Sequence, residues 1–224
     1  MSDFPYGLCR FFVRLFLLLF ASFRVSGKEH VPRTGAFILA SNHVSHFDPP
    51  FLTAATPRPI DYLASAEFFA HPLLARFFAL VHAFPFDRTR PDLGSVKVCL
   101  ERLAAGRCVG IFVEGGIRHG RTSVLHGGPI KEGSLTLARN ARVPVVPVIL
   151  VGPDRFYQWR ELFRRPRIHV RFGAPFWPEP DADARALSEA FRGRMTGLLA
   201  DLAREASLRP EEYAQSAQER WKNR

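Results

Sequence analysis

Apolar positions divide the chain into short stretches whose periods differ. Residues 11–23 (FFVRLFLLLFASF) are the greasiest and read as a helix, with Arg10 and Arg14 four apart on one face. From Gly35, the run Ala-Phe-Ile-Leu-Ala-Ser is short, apolar and unbroken, which predicts a buried strand. Asp48 stands before Pro49 and Pro50. A residue before proline avoids the α region, while proline suits a first helical turn. This predicts a helix from about Pro49 to Ala55 with Asp48 as its N-cap, and so brings His43 and Asp48 together at one loop-to-helix corner. Further on, the pattern predicts a helical stretch over 67–81 interrupted at Pro72, an extended piece over 82–88, and an amphipathic helix over 92–105 ending at Gly106. Residues 108–114, 144–151 and 168–172 read as strands, 133–140 as a helix, and 181–222 as mostly helix, split near Pro210.

Strands alternating with helices predict an α/β sandwich with a mostly parallel sheet flanked by helices. With no repeat or low-complexity tract, one domain is expected. A membrane-associating helix occupies 1–28, a central domain 29–180, and C-terminal helices packing on that same domain 181–224. Ligands bind at the carboxyl ends of such strands. The segments carrying His43, Arg88 and Glu114 all follow predicted strands, so they can converge.

Composition narrows the function. Hydrophobic residues make up 47% and charged residues 23% of the 224, which excludes a disordered chain. Twenty-one Phe against 4 Tyr and 3 Trp must pack in a core or meet something greasy. The net charge of +10 suits an anionic membrane face or a phosphate-bearing substrate. No finger spacing and no RNA-binding aromatic motif accompanies it, so nucleic acid is not expected as a partner. Cys9, Cys99 and Cys108 form no CxxC, which argues for reduced thiols rather than a disulfide framework. His43, His46 and Asp48 lack a fourth partner at zinc spacing, so no metal is expected. The uninterrupted apolar centre Leu15–Ala21 is far shorter than the roughly 20 residues of a membrane span. Ala-Ser-Phe-Arg is a poor cleavage site for a secretory signal. The helix is therefore expected to lie in the interface, Arg10 and Arg14 reaching phosphates while Phe and Leu enter lipid. The same pattern also fits a helix packed on the protein's own core.

A histidine bonded to a carboxylate can take a proton from a hydroxyl, the carboxylate fixing the tautomer. His43 and Asp48 supply that pair with no GxSxG elsewhere, so the attacking group is expected to be the substrate's own hydroxyl. Asn42-His43-Val-Ser-His-Phe-Asp48 resembles the NHxxxxD block of the glycerolipid acyltransferases typified by 1-acylglycerol-3-phosphate acyltransferase. Phe84-Pro-Phe-Asp87-Arg88 resembles the second block, Phe112-Val-Glu114-Gly115-Gly116-Ile-Arg118 the third (usually FPEGTR), and Val143-Pro-Val-Val-Pro147-Val the fourth. In the third block Val113 replaces Pro, Gly116-Ile117 replaces Thr, and Arg118 stands one place late.

The resemblance implies an acyltransferase domain in which His43 is the base and Asp48 its orienting carboxylate. Arg88 and Arg118 would hold the acceptor phosphate. Glu114 would bond acceptor hydroxyls or brace an arginine, Gly115 and Gly116 would let amides approach an anion, and Lys131 would contact an oxyanion or phosphate. It implies acyl-CoA or acyl carrier protein as co-substrate, no cofactor, and membrane lipids with a lysophospholipid acceptor as partners, at the cytoplasmic face of the inner or plasma membrane. The acceptor would be lysophosphatidic acid, or another lyso-lipid such as a lyso-ornithine lipid. A thioesterase or a silent lipid-binding member of the fold are the further alternatives.

Overall fold

Phe37–Ser41 forms the middle strand, β2, of a seven-stranded sheet in the structure, a computed structural model that describes residues 3–87, 92–209 and 212–214. Its five residues are all buried, without alternation, because helices cover the sheet on both faces. The other strands are β1 (Ser22–Ser26), β3 (Ile60–Ser65), β4 (Phe84–Phe86), β5 (Cys108–Phe112), β6 (Val145–Val151) and β7 (Arg167–Phe172). They lie in the order β1-β7-β6-β2-β5-β3-β4, and of the neighbouring pairs only β6–β7 is antiparallel. The expected α/β architecture with a mostly parallel sheet is thus present.

Two cores sandwich the sheet. Phe37 and Leu39 face one of them, with α1 (Phe4–Phe20) and α2 (Asp48–Ala55) contributing Leu17, Phe51 and Leu52. Ile38 and Ala40 face the other, built with α4 (Leu93–Ala104), α5 (Gly133–Ala141) and α7 (Ala184–Ala206). Two further helices, α3 (Pro72–Leu80) and α6 (Trp159–Leu162), border the first core through Phe78 and Leu162. β7 alternates strictly. Ile168, Val170 and Phe172 enter the first core, while Arg167 and Arg171 bond Ala206 and Glu205 of α7.

Three expectations change. The helix expected over 1–28 ends at Phe20, and Ser22–Ser26 instead pairs with β7 as an edge strand, so residues after Ala21 belong to the sheet. The arginine face of α1 points inward. Arg14 Nε donates to Ala54 O (2.9 Å) and Arg10 to Thr56 O and Pro57 O (both 3.3 Å), where cations meet the unsatisfied carbonyls at the end of α2. They therefore do not reach toward phosphates; Phe11, Phe12, Leu18 and Leu19 on the other face are exposed. Asp48 is the first residue of α2 rather than its cap, because its carboxylate turns back onto the preceding loop. The split expected near Pro210 lies outside the described residues.

Candidate functional site

β2 and β5 run side by side and end together, Ser41 opposite Phe112. One more rung follows, Val113 N–H donating to Ser41 O at 2.9 Å, before the two chains turn into loops. Asn42 clasps β6 on the other side: its Nδ2 donates to Leu150 O and its Oδ1 accepts Leu150 N–H, both at 2.8 Å. His43 is therefore delivered to the carboxyl edge of the sheet by a loop pinned on both flanks.

The His43 ring, 7% exposed, places Nδ1 2.8 Å from Asp48 Oδ2. The same oxygen accepts the backbone N–H groups of Val44 (2.6 Å) and Ser45 (2.9 Å). A carboxylate only accepts, so Nδ1 carries the hydrogen and Nε2 keeps a free lone pair. Burial pushes the fully enclosed Asp48 carboxyl upward, and its hydrogen bond from His43 opposes that push. Ser41 and Ser45, the hydroxyls nearest in sequence, are both enclosed, and Ser45 accepts Phe47 N–H. The His46 N–H donates to the Tyr157 hydroxyl (2.9 Å), which in turn meets His46 Nδ1 at 2.5 Å, so the second histidine holds Tyr157.

Glu114 departs from expectation. It is 3% exposed, and its oxygens are engaged by the protein. Oε2 accepts His43 N–H at 2.6 Å, and Oε1 accepts the Ser123 hydroxyl (2.8 Å) and Val124 N–H (2.7 Å). Among the described residues no arginine bonds it; it braces the His43 loop, because two buried amides demand an acceptor. Burial raises its pKa, opposed by those donors. Arg118 donates its backbone N–H to His43 O (2.8 Å) and leaves its side chain exposed. Lys131 N–H donates to Val113 O (2.7 Å), and its aliphatic stem passes over Gly115, whose φ of 69° places it in the left-handed region. Arg88 lies outside the described residues.

His43, Gly115, Gly116 and Lys131 line a cleft of about 560 Å³. Leu63, Phe86, Val96, Leu100, Ile111 and Leu137 also line it, so α4, α5 and the β3–β5 edge enclose a mainly apolar slot with the histidine in its wall. The contribution of α4 and α5 to these walls was not foreseen. Its signal was the apolar stripe Val96, Cys99, Leu100, Leu103, which reads as ordinary core. A second groove of about 620 Å³ runs between α1, α3 and the start of α2, lined by Leu8, Phe12, Phe16, Phe47, Phe77 and Leu80. Among the described residues no helix is long and apolar enough to cross a membrane.

Residues 22–151 match the family model described as Acyltransferase. The chain is 30% identical over 171 residues to a 1-acyl-sn-glycerol-3-phosphate acyltransferase from Bacillus subtilis, covering 76% of this chain and 81% of that one. It is 25% identical over 167 residues to the enzyme of the same name from Streptococcus pneumoniae, covering 71% of this chain and 60% of the other. The crystal structure of the 1-acyl-sn-glycerophosphate acyltransferase PlsC from Thermotoga maritima superposes with a TM-score of 0.71 at 20% identity, covering 88% and 79% of the two chains.

Proposed function

The chain belongs to the glycerolipid acyltransferase family and is an O-acyltransferase, and from that premise we propose that it moves a fatty acyl group from an acyl-CoA or acyl carrier protein thioester to a lysophospholipid, above all 1-acyl-glycerol-3-phosphate. The observation that carries this reading is the His43–Asp48 pair, with His43 lining an apolar slot. Nε2 takes the proton of the acceptor hydroxyl as its oxygen attacks the thioester carbonyl; the C–S bond then breaks and the imidazolium returns the proton to the leaving thiolate. Asp48 holds the tautomer throughout. Lys131, in the cleft wall, and the arginines Arg88 and Arg118 supply positive charge for the acceptor phosphate. The slot takes an acyl chain.

The bilayer supplies the acceptor. The exposed apolar side chains of α1 and α3 (Phe11, Phe12, Leu18, Leu73 and Phe77 among them) form a face that lies on the membrane, which supports work at a bilayer surface rather than in bulk water. Arg118 favours keeping a second acceptor in view. Its N–H is engaged by the His43 loop and it stands one place late in its block, so a lyso-lipid with a different head group, such as a lyso-ornithine lipid, is the alternative.

Purified protein given labelled acyl-CoA and a panel of lyso-lipids should form labelled phosphatidic acid fastest. His43→Ala should reduce transfer by about 10²–10⁴-fold with the fold intact. Free fatty acid released at full rate without acceptor would mean a thioesterase, and unchanged transfer in His43→Ala would remove the mechanism.

A further inference from the structure

The His43 ring lies flat on the ring of Phe112, centroids 3.9 Å apart and planes 17° apart. The Tyr62 ring in turn runs nearly parallel to Phe112, centroids 6.3 Å apart and planes 11° apart. Three elements thus feed one column of rings: the loop after β2, the last residue of β5, and β3. We propose that Phe112 is a positioning residue for His43, its π-face stabilising the imidazolium that forms when His43 takes the acceptor's proton. This rests on the reading of His43 as the base.

The column is built. Gly110 lies two residues before Phe112, on the same face of β5, and a Cβ there would stand 2.8 Å and 2.9 Å from Tyr62 ring carbons. Only glycine leaves room for the tyrosine to lie against the strand and back the phenylalanine. Tyr62 is in turn fixed by its hydroxyl, which donates to Pro49 O (3.0 Å) and accepts from Thr53 Oγ1 (3.5 Å). Pro49 follows Asp48, so the ring behind the base and the carboxylate beside it share one anchor. Burial holds the Tyr62 phenol well above its ordinary pKa, which keeps it a donor.

An aromatic ring is negative over its face and attracts a cation there, more strongly in a site closed to water. A neutral imidazole gains little from that face. The attraction therefore grows as the proton arrives, and an interaction stronger in the transition state than in the ground state accelerates the step. The proton passes from the acceptor hydroxyl to Nε2 while the oxygen bonds to the thioester carbon, so the charge on the imidazole is at its greatest when Phe112 is most useful. The other ionisable groups around His43 are Asp48 from α2, Glu114 and Arg118 after β5, Lys131 and Glu132 before α5, and Tyr62 from β3. His46 lies on the same loop and is held by Tyr157.

Ring-fluorinated phenylalanines incorporated at position 112 of the full chain keep the shape and progressively empty the negative face. The readout is the pH profile of kcat/KM for acyl transfer to the lyso-lipid that the panel identifies. The acid limb should move to lower pH with each fluorine, reaching about half to one pH unit for the trifluoro ring, as the imidazolium loses support. At the same time kcat should fall about three- to tenfold with KM unchanged. Phe112→Leu should match the trifluoro ring and Phe112→Tyr should restore the profile. A limb that ignores fluorination overturns the proposal. His43→Ala separates the two claims: an active His43→Ala removes the base itself, whereas an inactive one beside an unmoved limb removes only the part given to Phe112.

Discussion

Glu114 accepts the amide of His43 on one oxygen and that of Val124 on the other, so one side chain joins the loop after β2 to the loop after β5. Glu114→Ala leaves both buried amides without an acceptor. It should cost about 2–4 kcal/mol in urea unfolding and lower kcat by loosening His43. Asp48→Asn removes the charge that holds Nδ1–H while nearly keeping the shape. Its kcat should fall about 10²–10⁴-fold in single-turnover assays with unfolding little changed, since an amide oxygen can still accept Val44 and Ser45. The pairing of His43 with Asp48 was legible in the chain because a loop between a buried strand and a double proline leaves few other geometries. The capping role was misread. A carboxylate at that corner chooses between the helix amides and the two loop amides beside the imidazole, and the sequence carries both options. The bracing role of Glu114 is not legible for a related reason: its partners, Ser123 and Val124, sit in a loop whose path the sequence does not announce.

At the level of elements, the strands bounded by glycine and proline were the readable ones, Phe37–Ser41 and Val145–Val151 foremost. β3 escaped because Asp61 breaks its apolar run. That aspartate is fully buried and paired with Arg107, through Nε at 2.5 Å and a second nitrogen at 2.6 Å, so a charge points into the fold where alternation predicts a surface. β1 escaped because it follows a greasy helix and carries Arg24. The arginines of α1 were read as membrane anchors, yet the carbonyls ending α2 are nearer and need donors. With that face turned inward, the Phe and Leu face is exposed among the described residues. Phe12→Glu combined with Leu18→Glu should cut co-sedimentation with anionic phospholipid vesicles by tenfold or more, each lost side chain being worth about 2 kcal/mol of burial. The same pair should leave the thermal unfolding midpoint nearly unchanged, because both residues are exposed.

Across the whole molecule, charge is concentrated where β7 meets α7. His169 sits there with 3% exposure, its pKa pulled down to about 4 by burial and then by Arg167 and Arg24. The unfolded chain binds this proton below its ordinary pKa of about 6.5 and the folded chain does not until about 4. Stability should therefore fall as the pH drops through that window, by up to about 3 kcal/mol from this group. His169→Gln should flatten the fall in denaturant unfolding measured across the same range. β7 also receives β1, which closes that edge of the sheet, Ser22 pairing with Arg167 and Ser26 with Arg171, so the first strand made takes the last as its neighbour. On a ribosome, β1 and α1 emerge on the order of ten seconds before β7 exists. During that interval the apolar helix has no sheet edge to settle beside, and a bilayer or a chaperone competes for it before the enzyme is complete.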